Sequence, residues 1–386
     1  MSAGQSKGVR GSKRRRVLLT GASGIIGTEV VRRLVDAGDA VTALVHENSE
    51  LVQNDGRTIP YASGHLEGVQ GDVGRSRLGL PEADYRELQK ATDVIVHSAA
   101  VTEFGRPQSL YQRINEGGTK RILEFAQDSL PSPIPVVHIS TAYVCGNRHG
   151  IVLEDELEAE QEFANAYERS KFNAELLVRE AAAKGLPAAV VRPSIVVGSS
   201  RNGVTREFSN IYVLLKLIAD GQLSIIPANY DAVLDLVPID YVADFIAEVT
   251  GRVQEAAGKV FHAVGEAPLT LRECGDVLAE YPSFRVPRFV PPQSFDPDRL
   301  SPIERRYYER VLVLFEPYLR RHVVFSADQA QGFSGMRQAS RGKAMLRRLL
   351  DYCLQQGYLG VPRPTITDVL GSLRSSQAPA VSSPTG

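Results

Sequence analysis

The chain has 386 residues, of which 43% are hydrophobic and 23% charged, with a formal net charge of −1. That composition describes a globular chain with room for a large core, and the charge balance excludes a general affinity for nucleic acid. Cys145, Cys274 and Cys353 lie far apart, which excludes a disulfide framework or a C-x-x-C zinc site, so no metal is expected. No apolar run is long enough to span a bilayer, and no apolar segment follows the N-terminal charges as in a signal peptide. The expected location is the cytoplasm.

Residues 1–16, MSAGQSKGVRGSKRRR, contain six basic and no acidic side chains. They read as a solvated, disordered leader, with a nucleic-acid or phosphate-binding arm as the alternative. From residue 17 to about 197, short Val/Ile-rich runs alternate with longer amphipathic segments. Strands are expected at 17–20, 40–45, 66–70, 94–98, 136–140 and 188–192. Helices are expected at 25–37, 81–90, 108–128 and 160–184. This alternation predicts an α/β fold, a doubly wound parallel Rossmann sheet, followed by a smaller, mostly helical C-terminal substrate region. A helical run at 208–219 follows, then a strand entering a helix over 235–250 and a short strand at 259–264. The domain reading is 17–205 for the nucleotide-binding domain, with 235–264 returning to it. Residues 206–234 and 265–370 form a cap, and 371–386 a disordered Ser/Pro/Ala-rich tail.

The first strand runs into VLLTGASGIIG, with Gly21, Gly24 and Gly27 at a strand–turn–helix junction. Glycine there permits the turn, lets backbone approach a pyrophosphate and lets helix and strand pack closely. Amides at a helix N-terminus favour phosphate. The second strand ends VTALVHENSE, so Val45 occupies the place where an NAD-preferring site carries an acid. His46 follows and could donate to a 2′-phosphate; Glu47 keeps NAD in view. NADP(H) is therefore favoured over NAD(H). Asp72, in Gly71-Asp72-Val73, could receive the adenine amino group or simply cap a turn. Ser98, Ala99 and Ala100 are small enough for a cofactor to lie against the sheet edge.

The chemistry sits further on. HISTAYVCG places Ser140 and Thr141 at a strand's C-terminal end, where open α/β sheets bind ligands. YERSK puts Tyr167 and Lys171 at i and i+4 on one helix face. A phenol ordinarily titrates near 10; a nearby ammonium and an oxidised nicotinamide are expected to lower it. Tyr167 could then exchange a proton with a substrate oxygen that Thr141 also holds.

On TGASGIIG, GDV, HSAA, ISTAYVCG, YERSK, RPSIVVG and DLVPIDYVAD, the chain resembles an extended short-chain dehydrogenase/reductase from residue 17 to about 244. The resemblance implies a catalytic Thr141, Tyr167 and Lys171, with Lys171 also on the nicotinamide ribose and Asn115 supporting the lysine through water. It implies a pyrophosphate on Gly21, Ser23, Gly24, Ile25, Ile26 and Gly27, and adenine between Asp72 and Val73. It also implies a nicotinamide carboxamide at Arg192, Pro193, Ser194 and Ile195. Within that group, GDVGRSRLGL, VTEF, RPSIVVGSSRNG and IIPANYDAVLDLVPIDYVAD are similar to the thioester-reductase and fatty acyl-CoA reductase (male-sterility-type) branch. That branch usually carries an Arg where His46 stands.

The implied activity is NAD(P)H-dependent reduction of an acyl thioester to aldehyde or alcohol. With no adenylation or carrier segment recognised, the thioester is expected on CoA or a separate carrier protein. The alternatives keep the fold: a sugar-nucleotide epimerase or dehydratase, a hydroxysteroid-like dehydrogenase, or a non-catalytic NADP-sensing module. Beyond Pro302, Val311, Leu312, Leu314, Phe315 and Leu319 form an apolar stripe, read as cap core or as acyl pocket. Arg305, Arg306, Arg320, Arg321, Arg347 and Arg348 read as a solvated face or as a seat for an acidic carrier or CoA phosphates. Sequence gives no oligomeric state.

Overall fold

The structure, a computed structural model, describes residues 14–336 and 342–360. Seven parallel strands form the central sheet. They are β1 (Arg16–Thr20), β2 (Ala40–Val45), β3 (Leu66–Gln70), β4 (Val94–His97), β5 (Val136–Ile139), β6 (Ala188–Pro193) and β7 (Val260–Ala263). Their spatial order is β3-β2-β1-β4-β5-β6-β7, so the chain reverses direction across the sheet between β1 and β4. A ligand crevice opens at such a switch point, outside the strands' C-terminal ends.

Strand side chains alternate between two cores. Val17 and Leu19 of β1 face one layer with Val30, Val31 and Leu34, whereas Leu18 faces the other with Ile95, Ile122 and Phe125. Helix α1 (Ile25–Asp36) and the helix Ile239–Gly251 cover the first face. On the second lie Glu82–Lys90, Gly117–Gln127 and Ala166–Ala183, labelled α2, α3 and α4; Ile239–Gly251 is then α5. A third core joins Ile211–Ala219 to the C-terminal segments, with Leu312, Phe315, Leu319, Leu349 and Leu350 buried in it. Val311 and Leu314 of the stripe pack against it partly buried, whereas Val313, outside the stripe, is 43% exposed.

Three expectations shift. First, β1 begins at Arg16, and the leader's end belongs to the fold. Arg15 pairs with Asp39 at 2.6 Å, Arg16 pairs with Asp93 at 2.6 Å, and Arg14 donates to the Gly64 carbonyl at 2.6 Å. The rest of the leader, 1–13, and the tail from 361 lie outside the described residues. Second, α4 starts at Ala166 rather than at 160, because Asn165 caps it: its side-chain oxygen accepts the Glu168 amide at 2.9 Å. Third, the helix expected over 108–128 is interrupted by a π turn, Gln112–Glu116. The extra residue in that turn carries Asn115 into the interior.

Candidate active site

The site assembles on the C-terminal ends of β1, β4, β5 and β6. At the first, Gly21 has φ +71°, and a Cβ there would lie 2.7 Å from the Ala99 nitrogen. A Cβ on Gly27 would overlap the Gly21 carbonyl oxygen. Only glycine allows this close turn, which leaves Gly24 exposed as the N-cap of α1 with no side-chain bond to the helix amides. Those amides remain available to a phosphate. Ser23 and Ile25 are half-buried, and Ile25 and Ile26 line the cavity below.

A hydrogen-bond chain braces this turn against β4. Thr20 donates to His97 Nδ1 at 2.7 Å, His97 Nε2 donates to Thr119 at 3.0 Å, and Thr119 donates to the Asn115 carbonyl at 2.6 Å. Because a carbonyl only accepts, the Thr119 proton is committed to it, and this assigns the Nε2–H tautomer. Burial, with Lys171 adding to it, brings the His97 pKa down to about 3, so the ring is neutral. Asn115 itself is turned onto Val101, accepting its amide at 2.7 Å and donating to its carbonyl at 3.1 Å; it also donates to Ser170 at 2.9 Å. Its side-chain bonds among the described residues do not include Lys171.

The expected adenosine end is at β2 and β3. Asp72 is buried and its Oδ1 accepts the Gly74 amide at 2.7 Å, while Val73 packs into the core. Three basic groups surround Asp72 Oδ2: His46 at 3.6 Å, Arg75 at 3.4 Å and Arg113 at 3.8 Å. His46 is 58% exposed. Arg75 and Arg113 were not singled out from sequence; Arg113 comes from the π turn, a feature without a hydropathy signature. Ser98, Ala99 and Ala100 are half-buried beside Gly21.

The chemistry-bearing side chains meet at a cavity of about 180 Å³ lined by Ser140, Thr141, Tyr167, Pro193, Ser194 and Ile195 among others. Thr141 is buried; its hydroxyl accepts the Tyr143 amide at 3.3 Å, donates to the Pro193 carbonyl at 3.3 Å, and interacts with the Tyr167 phenol. Tyr167 does not have the lowered pKa expected of it. Desolvation pushes it above the ordinary phenol value, opposed by the Thr141 hydrogen bond, and Lys171 is not among the groups that shift it. The phenol is thus a neutral proton donor. Lys171 is buried behind it and donates to the Ile139 carbonyl at 2.7 Å. Burial brings its pKa down to about 8, against an opposing pull from Glu175.

Arg192 does not face the cavity. Its side chain, 1% exposed, forks onto Glu175 at 2.6 and 3.0 Å, and Glu175 also accepts the Ser140 hydroxyl at 2.7 Å. A buried carboxylate so placed demands the guanidinium, which leaves Pro193, Ser194 and Ile195 as the cavity side of that strand end. Sequence reading also passed over Asp235, which accepts the Ser194 hydroxyl, and Arg206, which donates to the Ser23 and Val52 carbonyls. The late arginines are largely engaged within the chain: Arg305 with Asp298, Arg320 with Glu316, Arg321 with Glu168, Arg347 with Glu280, and Arg348 with the Ser200 carbonyl. Arg306 is exposed. No helix among the described residues is long and apolar enough to cross a membrane.

Comparison with known proteins agrees with this architecture. The family profile described as male sterility protein, an NAD-binding family, matches residues 19–246. Peramine synthetase A of Epichloe festucae is 35% identical over 227 residues, covering 53% of this chain. The chain spans 8% of that relative's length. The terminal R domain from the myxalamid PKS-NRPS biosynthetic pathway superposes with a TM-score of 0.75 at 25% identity, covering 92% of this chain and 94% of that one. A thiolation-reductase di-domain from an archaeal non-ribosomal peptide synthetase shares the fold, with a TM-score of 0.68 at 21% identity, covering 90% of this chain and 76% of that one. The chain belongs to the male sterility protein family, in the thioester-reductase branch of the extended short-chain dehydrogenases/reductases, which are NAD(P)-dependent oxidoreductases.

Proposed function

We propose that this chain reduces an acyl thioester, presented on a carrier protein or CoA, to the aldehyde, and prefers NADPH. The observation that carries the reading is the convergence of Thr141 and Tyr167 on one cavity that also reaches Ile25 and Ile26 of the glycine turn. A bound reduced nicotinamide supplies the hydride. The balance is one thioester, one NADPH and one proton in, with aldehyde, thiol and NADP⁺ out. Tyr167, a neutral phenol, gives its proton to the carbonyl oxygen as charge develops there. Thr141 donates to the same oxygen, and its own bond to the Pro193 carbonyl is long enough, at 3.3 Å, to be exchanged. Lys171, fixed by the Ile139 carbonyl, holds the nicotinamide ribose. Ser194 and Pro193 position the carboxamide.

The NADPH preference rests on His46, Arg75 and Arg113 gathered at the end of β2 and β3. A 2′-phosphate there meets three basic side chains, while Asp72 spends one carboxylate oxygen on its own turn. The carrier is inferred from the fold neighbour in which a thiolation domain is joined to the reductase. Mass analysis of products from NADPH, or NADH, with a panel of acyl thioesters tests the whole reading. The expected result is aldehyde and free thiol, faster with NADPH; thioester recovered intact with both cofactors contradicts it.

A further inference from the structure

The cavity continues from Tyr167 into the cap, where Phe104, Tyr143, Ile211, Leu214, Phe315 and Tyr318 form its wall. The rings interlock. Phe104 stacks on Tyr318 with centroids 5.6 Å apart and planes 13° apart, and lies 5.7 Å from Phe315 and 5.9 Å from Tyr167. Tyr143 meets Tyr318 edge-on at 5.0 Å. Such mutually packed rings form a rigid apolar wall.

The charges around this wall are few and paired. Among the described residues lining the cavity, Glu207 is the one charged side chain. The nearby cations already have partners. Arg321 lies over the Tyr318 ring at 4.7 Å and pairs with buried Glu168 at 2.7 Å. Arg320 pairs with Glu316, and Arg206 pairs with Glu207 itself at 3.1 Å while donating to the Ser23 and Val52 carbonyls. A carboxylate entering the cavity would lose water and find, among the described lining residues, no cation of its own to pair with, since Arg206 is already held by Glu207. An alkyl or aryl group there would exchange water for ring contact.

We infer that this site takes an uncharged, apolar acyl group, alkyl or aryl, and rejects an acyl chain that ends in a carboxylate. The inference rests on the thioester-reductase reading above and names the substrate class for it. The test compares hexanoyl-, 3-phenylpropanoyl- and adipoyl-pantetheine with the full chain and NADPH; the first and last have the same number of carbons. The first two are expected to exceed adipoyl in kcat/KM by at least ~100-fold, the scale set by an unpaired buried charge. Adipoyl equal or superior to hexanoyl overturns the inference and leaves thioester reduction standing. No turnover of any thioester contradicts the reductase reading instead. Calorimetry on the NADP⁺-loaded chain then decides the cavity's preference, using the unreactive thioethers S-hexyl- and S-(5-carboxypentyl)-pantetheine. Tighter binding of the hexyl thioether by ~100-fold supports the inference, and equal affinity overturns it.

Discussion

Ser194 donates its hydroxyl proton to Asp235 across 2.5 Å, and the Gly265 amide donates to the same carboxylate oxygen at 2.5 Å. A serine has one proton to give. With that proton spent on Asp235, Ser194 turns only lone pairs towards the cavity, the arrangement that receives the amino group of a nicotinamide carboxamide. Asp235 is a positioning residue that sets this polarity from behind.

Asp235 keeps its place at a cost. Burial raises its pKa from 3.8 to about 6, against the opposing bonds from Ser194 and Gly265. Between those two values the folded chain binds more protons than the unfolded one, so this group's contribution to stability falls as pH rises. Asp235→Asn retains an oxygen for both donors and removes the charge. Calorimetry should show a Tm higher than wild type by a few °C at pH 7, with the difference disappearing as pH falls through about 6 towards 4. A constant difference across that window would contradict the assignment.

Lys171 gives a second pH signature, in kinetics and at higher pH. Its ammonium, with a pKa of about 8, is present below that pH and lost above it. The kcat/KM for NADPH should therefore fall as pH rises through about 8. Lys171→Met should lose roughly 10²-fold in kcat/KM and show no such limb. The same limb in the variant would assign it to another group.

The strand positions, the glycine turn and the pair Tyr167/Lys171 were legible in the sequence because each is a local pattern: periodicity, spacing of glycines, i and i+4 on one helix. What escaped reading depends on contacts between distant segments. The destination of Arg192 is decided by Glu175, the electrostatics of Tyr167 by burial, and the meeting of Phe104 with Tyr318 by the cap's return to the loop after β4. The late start of α4 was local and could have been found, since Asn165 three residues before Glu168 is an N-cap pattern.

Arg321 and Glu168 tie the cap to the first turn of α4, next to Tyr167, with side chains 3% and 0% exposed. Arg321→Met leaves the carboxylate buried without its partner and should destabilise the chain by ~3–5 kcal/mol in denaturant unfolding. Adding Glu168→Gln should recover most of that loss. A double variant as unstable as the single one would show that packing of the guanidinium on Tyr318, and not charge, holds the cap.

Arg113 offers its guanidinium 3.8 Å from Asp72, at the rim of the adenosine end. Arg113→Ala should lower kcat/KM for NADPH by ~10–100-fold and leave NADH within about 3-fold, the range of one charge-assisted hydrogen bond. Equal losses with both cofactors would place Arg113 in folding rather than in phosphate recognition.

The central claim is that the Tyr167 phenol delivers the proton that accompanies hydride transfer. Single-turnover oxidation of NADPH against a saturating acyl thioester, followed at the nicotinamide absorbance, tests it directly in wild type and Tyr167→Phe. The expected result is a loss of ~10²–10⁴-fold in the rate with NADPH affinity within about 3-fold of wild type. A Tyr167→Phe chain that oxidises NADPH at the wild-type rate would contradict it.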